Sequence, residues 1–343
     1  MHADHPDADQ VRDLVADLTA WLDIEVHDPT SPITGGGAIR YAEHRFSDLY
    51  DGRSAAALPS ATLGMRAALL AVGVTPGQRV LIPDTDWTAT LAAVQTIGAA
   101  PVLVEVDPAT MTIDPAAVQR HLDDNVAAVV ACHLHGVPAD LPAIRDTVGG
   151  IPVIEDCAQA LGSSIDGQLC GTHGEYAVFS FSNKTINAGE AAIVSSATPE
   201  LHRHLLELTA HPVRQILDGV SPPNLAAFST RIAPACAMQL AVALKRWDRT
   251  RALADHNRLK ELLPEAVRRA VLGNDSRRKN AAPTIPVRRT APGTEMVQHG
   301  TSPSTALDIA SVIDGYPQNA DASLISPSRY STVEALRGGR RAG

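Results

Sequence analysis

Aromatic residues are scarce in this chain of 343 residues, at 3% of the total. The N-terminus, MHADHPDADQ, is polar and acidic with no apolar segment behind it, and no run of about 18 uncharged apolar residues follows, so we expect neither a leader peptide nor a membrane span. The four cysteines show no C-x-x-C pair and no metal-ligand spacing. We therefore predict no disulfides, no metal site and a cytoplasmic location.

The chain also lacks an excess of positive charge, since its formal net charge is −9. Proteins that bind nucleic acid need a concentrated positive surface to displace counterions from phosphates, so nucleic acid is not expected as a partner. Hydrophobic residues make up 45% and charged residues 20%, which is ordinary for a soluble globular protein. The length suits one large domain and a smaller one.

Short apolar runs alternate with helical patterns in the middle of the chain. The runs are nearly continuous, which is typical of strands that are covered on both faces, and they predict a mostly parallel sheet. They span residues 79–83, 101–106, 126–132, 152–156, 177–181 and 191–196. Helical periodicity predicts crossover helices at 88–98, 114–124 and 139–149. The fold class is therefore α/β.

Further helices are predicted on either side of this region. Ser60 or Thr62 can cap a helix that reaches Gly73. After residue 196 the pattern becomes helical at 199–211 and again, as one long helix, at 233–270. Beyond about 273 only 284–289 and 305–314 look regular.

Three polar side chains lie at or just past the ends of predicted strands. Asp156 ends one run, Ser180 lies near the end of another, and Lys184 follows four residues later. Ligands of open α/β sheets collect at the carboxyl ends of the strands. An acid, a hydroxyl and an amine at that edge suggest a shared site, although a strand-end Asp also often caps the next helix.

With its surroundings, this pair of Asp156 and Lys184 resembles the DegT/DnrJ/EryC1/StrS family of pyridoxal phosphate-dependent sugar aminotransferases, fold type I. The segments that carry the resemblance include VIEDCAQALGSS and FSFSNKTINAGEAAIV. The resemblance covers residues 35–52, 59–94, 100–114, 133–144, 153–164, 179–194 and, more weakly, 229–248. It implies a seven-stranded sheet in a large domain, 59–230. Residues 1–58 would pack on that domain, and 231–343 would form a connecting helix and a short C-terminal small domain.

The resemblance also implies roles for individual residues. Lys184 would be the Schiff-base lysine, an amine that must be partly neutral to attack an aldehyde. Asp156 would face the pyridine nitrogen and keep the ring protonated. Gln159 would contact the ring substituents and Trp87 would stack on the ring face.

The phosphate would lie at the N-terminus of the helix that begins at Ala61 and Thr62, next to Ser60, where free N–H groups favour an anion. Ser180 would add a hydroxyl donor. Because Ser180 and Lys184 are one residue closer together than in most of the family, Ser182 or Asn183 are alternatives for that contact.

Several other positions depart from the family's pattern. Alanines stand at 61, 191 and 192 where the family has glycine, and Ser229 stands where the family has an asparagine that reaches the partner subunit's phosphate. A homodimer with a shared active site is still expected. His133 and His135 are interpreted as part of a structural loop. Glu155 should point to the opposite face from Asp156, as a packing or salt-bridge residue.

The leading functional hypothesis is an aminotransferase that moves an amino group from glutamate or glutamine to a keto sugar, cyclitol or related natural-product intermediate. One alternative keeps the cofactor but changes the reaction to dehydration, epimerisation or cyclisation, although the retained Lys184 argues against a dehydratase. The other alternative is a non-catalytic family member that acts as a binding partner.

Overall fold

The computed structural model describes residues 8–182, 186–252, 288–290 and 293–295. Its centre is a seven-stranded sheet in the order β1-β9-β8-β5-β4-β2-β3. The strands are β1 Ser54–Leu58, β2 Arg79–Pro83, β3 Ala100–Val104, β4 Val126–Cys132, β5 Val153–Asp156, β8 Tyr176–Ser180 and β9 Ala192–Ser196. Strand β9 runs opposite to the other six strands of this sheet, so its pairings with β1 and β8 are antiparallel and the rest are parallel. The predicted mostly parallel, seven-stranded α/β architecture is confirmed.

Ten helices surround the sheet in the described part of the chain. They are α1 Ala8–His27, α2 Ser31–Thr34, α3 Gly37–Leu49, α4 Ala61–Ala71, α5 Thr88–Ile97, α6 Pro115–His121, α7 Leu141–Val148, α8 Pro199–Thr209, α9 Pro212–Leu217 and α10 Pro234–Arg246. Two small hairpins are formed by β6 Ser164–Ile165 with β7 Gln168–Leu169, and by β10 Arg288–Thr290 with β11 Gly293–Glu295. No helix among the described residues is long and apolar enough to cross a membrane.

Alternation along the strands divides the core between the two faces of the sheet. In β2, Val80 and Ile82 pack in a cluster with helices α4, α5 and α8, whereas Leu81 packs on the opposite face with α6 and α7. The part of that opposite face near β1, β8 and β9 is covered by α3 and α10. Because side chains in a strand alternate between faces, runs buried on both sides read as continuous hydrophobic sequence.

The first strand was not among the predicted strands. Its sequence, Ser-Ala-Ala-Ala-Leu, is poor in the β-branched and aromatic residues that mark strands. It forms because β9 supplies an antiparallel edge and because α3 and α8 cover its two faces. It lies within 1–58, the segment predicted to pack on the large domain, and it belongs to the sheet itself. The predicted domain boundaries otherwise stay predictions.

The long helix predicted over 233–270 is interrupted. Helix α10 ends at Arg246, Trp247 is extended, and helical residues resume at 249. The break is fixed by packing, because the Trp247 ring lies against Gly162 and the guanidinium of Arg249 donates to the Gly162 carbonyl oxygen at 2.9 Å. Asp248 then caps the new turn by accepting from the N–H of Arg251 at 2.7 Å. Residues 253–287 and 296–343, which include most of the predicted small domain and the stretch 305–314, lie outside the described residues.

Candidate active site

The sheet topology brings most of the predicted site residues to one edge. The carboxyl ends of β1, β2, β4, β5 and β8 all meet there, and β9 begins there because it runs in the opposite direction. Ser60 follows β1, Trp87 follows β2, Asp156 ends β5 and Ser180 ends β8. Lys184, with Asn183 and Thr185, lies outside the described residues, so its role stays a prediction.

Asp156 is half-buried at the end of β5. One carboxylate oxygen accepts from the backbone N–H of Ala158 at 2.9 Å, and the other accepts from the Thr90 hydroxyl at 3.3 Å. Thr90 lies in the first turn of α5, which packs on the same side of the sheet. These two bonds fix the direction of the carboxylate. The structure therefore holds Asp156 as an acceptor at the edge where the ring nitrogen of the cofactor was predicted.

Asp86 is a second carboxyl beside it that the sequence reasoning missed. Its side chain is buried in the loop between β2 and α5, and one oxygen accepts from the N–H of Trp87 at 2.6 Å. The other oxygen has no hydrogen-bond partner among the residues that the structure describes. A carboxylate oxygen of Asp86, one of Asp156 and the Cys132 sulfur all lie within 4.8 Å of one another. The available signal was the sequence Asp-Thr-Asp directly after an apolar strand.

The carboxyls are close enough to affect each other's ionisation. Burial, and then the negative charge of Asp156, raise the pKa of Asp86 to about 7. Burial and the same two carboxylates raise the pKa of the Cys132 thiol well above its usual range. The thiol is therefore protonated at neutral pH and is a poor nucleophile.

Glu155, the neighbour of Asp156, points to the other face of the sheet and is fully buried. Its carboxylate accepts from His133 Nε2 at 3.0 Å and from the N–H groups of Gly171, His173 and Gly174 at 2.7, 2.8 and 2.7 Å. Burial alone would raise the pKa of Glu155, but the hydrogen bond from His133 and the other donors lower it to about 2. The interpretation of Glu155 as a salt-bridge or packing residue agrees with these contacts.

His133 also acts structurally. Its Nδ1 accepts from the N–H of Ala139 at 3.0 Å, so this nitrogen carries no proton and Nε2–H is the donor to Glu155. His135 has a left-handed backbone, with φ of 56°, and its N–H donates to Gln159 Oε1 at 2.7 Å. Gln159 is thus a buried support for the loop after β4, and its predicted contact with the ring stays a prediction.

The phosphate end of the predicted site is a helix N-terminus. Ser60 is the N-cap of α4 and its hydroxyl accepts from the N–H of Leu63 at 3.4 Å. The N–H groups of Ala61 and Thr62 belong to the first turn, which has no intrahelical acceptors. Ser182 donates to Glu190 at 3.3 Å. Ser180 and Leu58 pair with Ala192 from opposite sides, so Ser180 lies two strands from β1, the strand that leads into this helix, with β9 between them.

The donors and acceptors at this edge match a phosphorylated pyridine. An anion is favoured at the N-terminus of α4. The Asp156 carboxylate at the end of β5 is an oxygen acceptor that a protonated ring nitrogen can use, and the buried Asp86 carboxyl lies beside it. Trp87, half-exposed at the start of α5, supplies a flat apolar surface at the same edge. The residues present therefore fit the group.

A family model described as the DegT/DnrJ/EryC1/StrS aminotransferase family matches residues 24–297. The chain belongs to this family. The resemblance found in the sequence is confirmed, and pyridoxal phosphate, the cofactor on which this family depends, agrees with the predicted cofactor.

Solved structures share the fold. DesI, solved in the presence of its TDP-sugar product, is 28% identical, with a TM-score of 0.65 over 78% of this chain and 67% of DesI. DesV from S. venezuelae is 25% identical, with a TM-score of 0.62 over 73% of this chain and 65% of DesV. NtdA from Bacillus subtilis, solved with bound PMP, is 23% identical, with a TM-score of 0.62 over 73% of this chain and 56% of NtdA. This chain therefore matches less than two thirds of the length of DesV and NtdA.

Proposed function

We propose that the chain is a pyridoxal phosphate-dependent aminotransferase that moves an amino group from glutamate or glutamine to a keto sugar, a cyclitol or a related intermediate. The observation that carries the proposal is Asp156, held at the carboxyl end of β5 beside a second, buried carboxyl and at the same edge as the N-terminus of α4. Family membership and the similarity to DesI, which is solved with a sugar product, support an aminotransferase of sugars.

Each residue of the proposed site has a distinct task. Asp156 accepts a hydrogen bond from the ring nitrogen and keeps that nitrogen charged. Ser60, Ala61, Thr62 and Ser180 hold the phosphate, with Ser182 as the alternative hydroxyl. When bound, the cofactor supplies an electron-withdrawing ring that stabilises the carbanion formed when the amino donor loses its α-proton. Lys184 is the amine that forms the covalent link and moves that proton.

The remaining two residues act on the geometry of the ring. Trp87 covers one ring face and limits the approach of water from that side. Gln159, which already holds the backbone of His135, fixes the loop beside the ring substituents. Both tasks are positional, so substitutions there should weaken cofactor binding more than they alter the chemistry of a bound cofactor.

The covalent link is tested first. The purified chain should turn yellow with pyridoxal phosphate, and reduction with borohydride followed by peptide mass analysis should place the cofactor on Lys184. Lys184→Ala is expected to lose the label, whereas Lys245→Ala, which removes an exposed lysine bonded to Asp17, should keep it. A colourless wild-type chain, or a label on another lysine, would contradict the proposal.

The reaction is tested with a panel of amino donors. We expect glutamate or glutamine to release the matching keto acid in a single half-reaction, and Asp156→Asn to slow that release by about two orders of magnitude or more, since the ring would lose its protonated state. Candidate keto sugars are then offered to the aminated enzyme. Saturable cofactor binding without keto-acid release from any donor would favour another reaction on the same cofactor, and no saturable binding would favour a non-catalytic member.

The proposed assembly is a homodimer. Large apolar side chains are exposed on α9 and the segment after it, including Ile216, Leu217 and Leu225. Phe228, also exposed in the segment after α9, lies near α4, because Arg66 on that helix stacks over its ring at 4.7 Å. A partner that covers this apolar surface would border the proposed phosphate site. Analytical ultracentrifugation should show a dimer, and Leu225→Glu should shift it toward the monomer.

The proposed location is the cytoplasm. All four cysteines are unbonded, and three of them are buried. Free buried thiols suit a reducing compartment. Fractionation of cells that express the tagged chain tests this location directly.

A further inference from the structure

A cleft of about 550 Å³, which we call the hairpin cleft, lies apart from the candidate active site. It is lined by Asp51 and Arg53 before β1, by residues 167–169 of the β6–β7 hairpin, by Thr172 and by Arg249. Arg53 directly precedes β1, and Thr172 lies four residues before β8. The cleft therefore lies toward the amino ends of these two strands, whereas the candidate active site lies at their carboxyl ends.

Two arginines bring positive charge to the hairpin cleft. Arg53 donates to three backbone carbonyl oxygens within residues 172–175, at 3.3, 2.8 and 3.4 Å. Arg249 donates to the Gly162 carbonyl oxygen at 2.9 Å and to the Ser164 hydroxyl at 3.2 Å. In the described part of the chain, the hydrogen bonds of both guanidinium groups therefore go to neutral acceptors. Such bonds fix the position of a guanidinium and leave its charge to act on an anion.

Arg53 is partly removed from water. Burial lowers the pKa of Arg53, and the carboxylates of Glu155 and Glu175 offset this in part without hydrogen bonds to the group. The guanidinium stays charged at neutral pH, since the ordinary pKa of arginine is far above 7. An anion in the cleft would replace some of the interactions with water that this charge has lost.

The rest of the lining indicates the class of ligand. Asp51 supplies a carboxylate, Gln168 an amide and Leu169 an apolar surface. Guanidinium groups match the oxygens of a phosphate, whereas a carboxylate accepts from hydroxyl groups. The volume is far larger than a single ion needs and lies in the range of pockets that hold small organic molecules.

We propose that the hairpin cleft binds a small organic phosphate that carries hydroxyl groups, such as a sugar phosphate. The phosphate interacts with Arg53 and Arg249, a hydroxyl group donates to Asp51, and Leu169 contacts the carbon skeleton. This inference does not depend on the proposed function, because the cleft contains none of the residues assigned to the cofactor.

The first experiment titrates the full chain with glucose 1-phosphate, with and without saturating pyridoxal phosphate, and follows binding by phosphorus NMR. We expect one saturable site with a dissociation constant below about 1 mM, unchanged by the cofactor. Inorganic phosphate should bind more weakly, and methyl glucoside, which has no phosphate, should not displace the probe. No saturation below about 10 mM, equal affinity for inorganic phosphate, or competition by the cofactor would each overturn the inference.

The second experiment repeats the titration with three variants. Arg249→Met should weaken glucose 1-phosphate binding about tenfold or more, because it removes a charged donor. Arg251→Met, which removes an exposed arginine two residues further on, should change it by less than about twofold. Asp51→Asn should strengthen inorganic phosphate binding about two- to fivefold, because it removes a negative charge. Asparagine tolerates the left-handed backbone at this position, where φ is 52°.

The tightening in Asp51→Asn is a result that a merely structural effect would not produce. Undiminished binding in Arg249→Met would overturn the inference. If that variant fails to fold, Asp51→Asn decides alone, and unchanged or weaker binding of inorganic phosphate would overturn it.

The third experiment locates the ligand on the chain. Phenylglyoxal modifies accessible guanidinium groups, and peptide mass analysis measures the rate at each arginine. Glucose 1-phosphate at a saturating concentration should slow the modification of Arg249 and leave that of Arg251 unchanged. Equal rates at Arg249 with and without glucose 1-phosphate would show that the probe binds elsewhere and would overturn the inference.

Discussion

Replacing Glu155 with glutamine should destabilise the chain strongly although the two side chains have the same shape. The carboxylate is fully buried and accepts four hydrogen bonds, one from His133 and three from backbone N–H groups of the loop at 171–174. A glutamine side chain turns one of the two oxygens into a donor, so at least one buried N–H group would face another donor. Buried donors without an acceptor cost about 1–3 kcal/mol each.

A second estimate gives a similar magnitude. The ordinary pKa of a glutamate is 4.5 and that of Glu155 is about 2. The folded chain therefore favours the carboxylate by about 3 kcal/mol at pH 7, given about 1.4 kcal/mol for each unit of pKa. We expect Glu155→Gln to lower the free energy of unfolding by about 3 kcal/mol at pH 7, and Glu200→Gln, an exposed acid at the start of α8, to change it by less than about 0.5 kcal/mol.

The assay is urea denaturation followed by tryptophan fluorescence and circular dichroism from pH 7 down to pH 3. The folded pKa lies below the unfolded one, so the stabilisation is present above pH 4.5 and is lost as the pH falls toward 2. The gap between wild type and Glu155→Gln should therefore be constant above about pH 5 and narrow below it. A gap smaller than about 1 kcal/mol at pH 7, or one that does not narrow in acid, would refute the argument.

Three other substitutions test the packing around the site, each by the midpoint of urea denaturation. Arg214→Met should lower the free energy of unfolding by about 3–5 kcal/mol, because it leaves the buried carboxylate of Glu43 without the two hydrogen bonds at 2.9 and 2.8 Å. A loss of stability under about 1 kcal/mol would count against a buried ion pair. Gly35→Ala should lower the free energy of unfolding clearly more than Gly52→Ala. Both glycines have φ above 70°, but only at Gly35 would the new methyl group lie 2.6 Å from the Arg214 side chain. Equal losses of stability in the two variants would contradict this. Asp114→Ala should lower the free energy of unfolding by about 1 kcal/mol, because it removes the N-cap of α6. Asp114→Asn should keep most of that stability, since asparagine also caps helices. An unchanged stability in Asp114→Ala would show that the cap is unimportant.

Much of the sheet could be predicted because its strands are buried on both faces. The strands predicted at 79–83 and 126–132 have the same bounds as β2 and β4, and the other four agree within one or two residues. Strand β1 escaped prediction because its three alanines have little intrinsic preference for a strand, and only tertiary contacts with β9 and α3 place it there. The pattern of apolar residues along a segment indicates that the segment is buried. It does not indicate which neighbouring strand a segment of low strand propensity will pair with.

The interrupted helix after residue 233 has a similar cause. The residues on both sides of Trp247 have helical periodicity, so the sequence favours one long helix. The break depends on Gly162, 85 residues earlier, whose missing side chain makes room for the Trp247 ring. A contact of that range leaves no signal in a local window.

The site could be predicted in outline and not in its electrostatics. The ends of apolar runs locate Asp156 and Ser180 at one edge, since parallel strands share their carboxyl ends. Asp86 was overlooked because an acid in a loop is ordinarily solvated, and only the fold shows that this one is buried next to Asp156. The distance between two carboxyls on separate elements is a property of the folded sheet, so neither segment reveals it alone.

The single reversed strand, β9, has a consequence for how this site accommodates change. The connection 181–191 leaves the sheet at Ser180 and re-enters it at Ala192, which is paired with Ser180 at the same edge. Lengthening or shortening a turn that departs and returns at one place alters no strand register and moves no crossover helix. A chain that is one residue shorter between Ser180 and Lys184 can therefore keep the rest of the sheet unchanged. Changes in the length of this connection can alter how far Lys184 extends from the sheet edge without altering the fold.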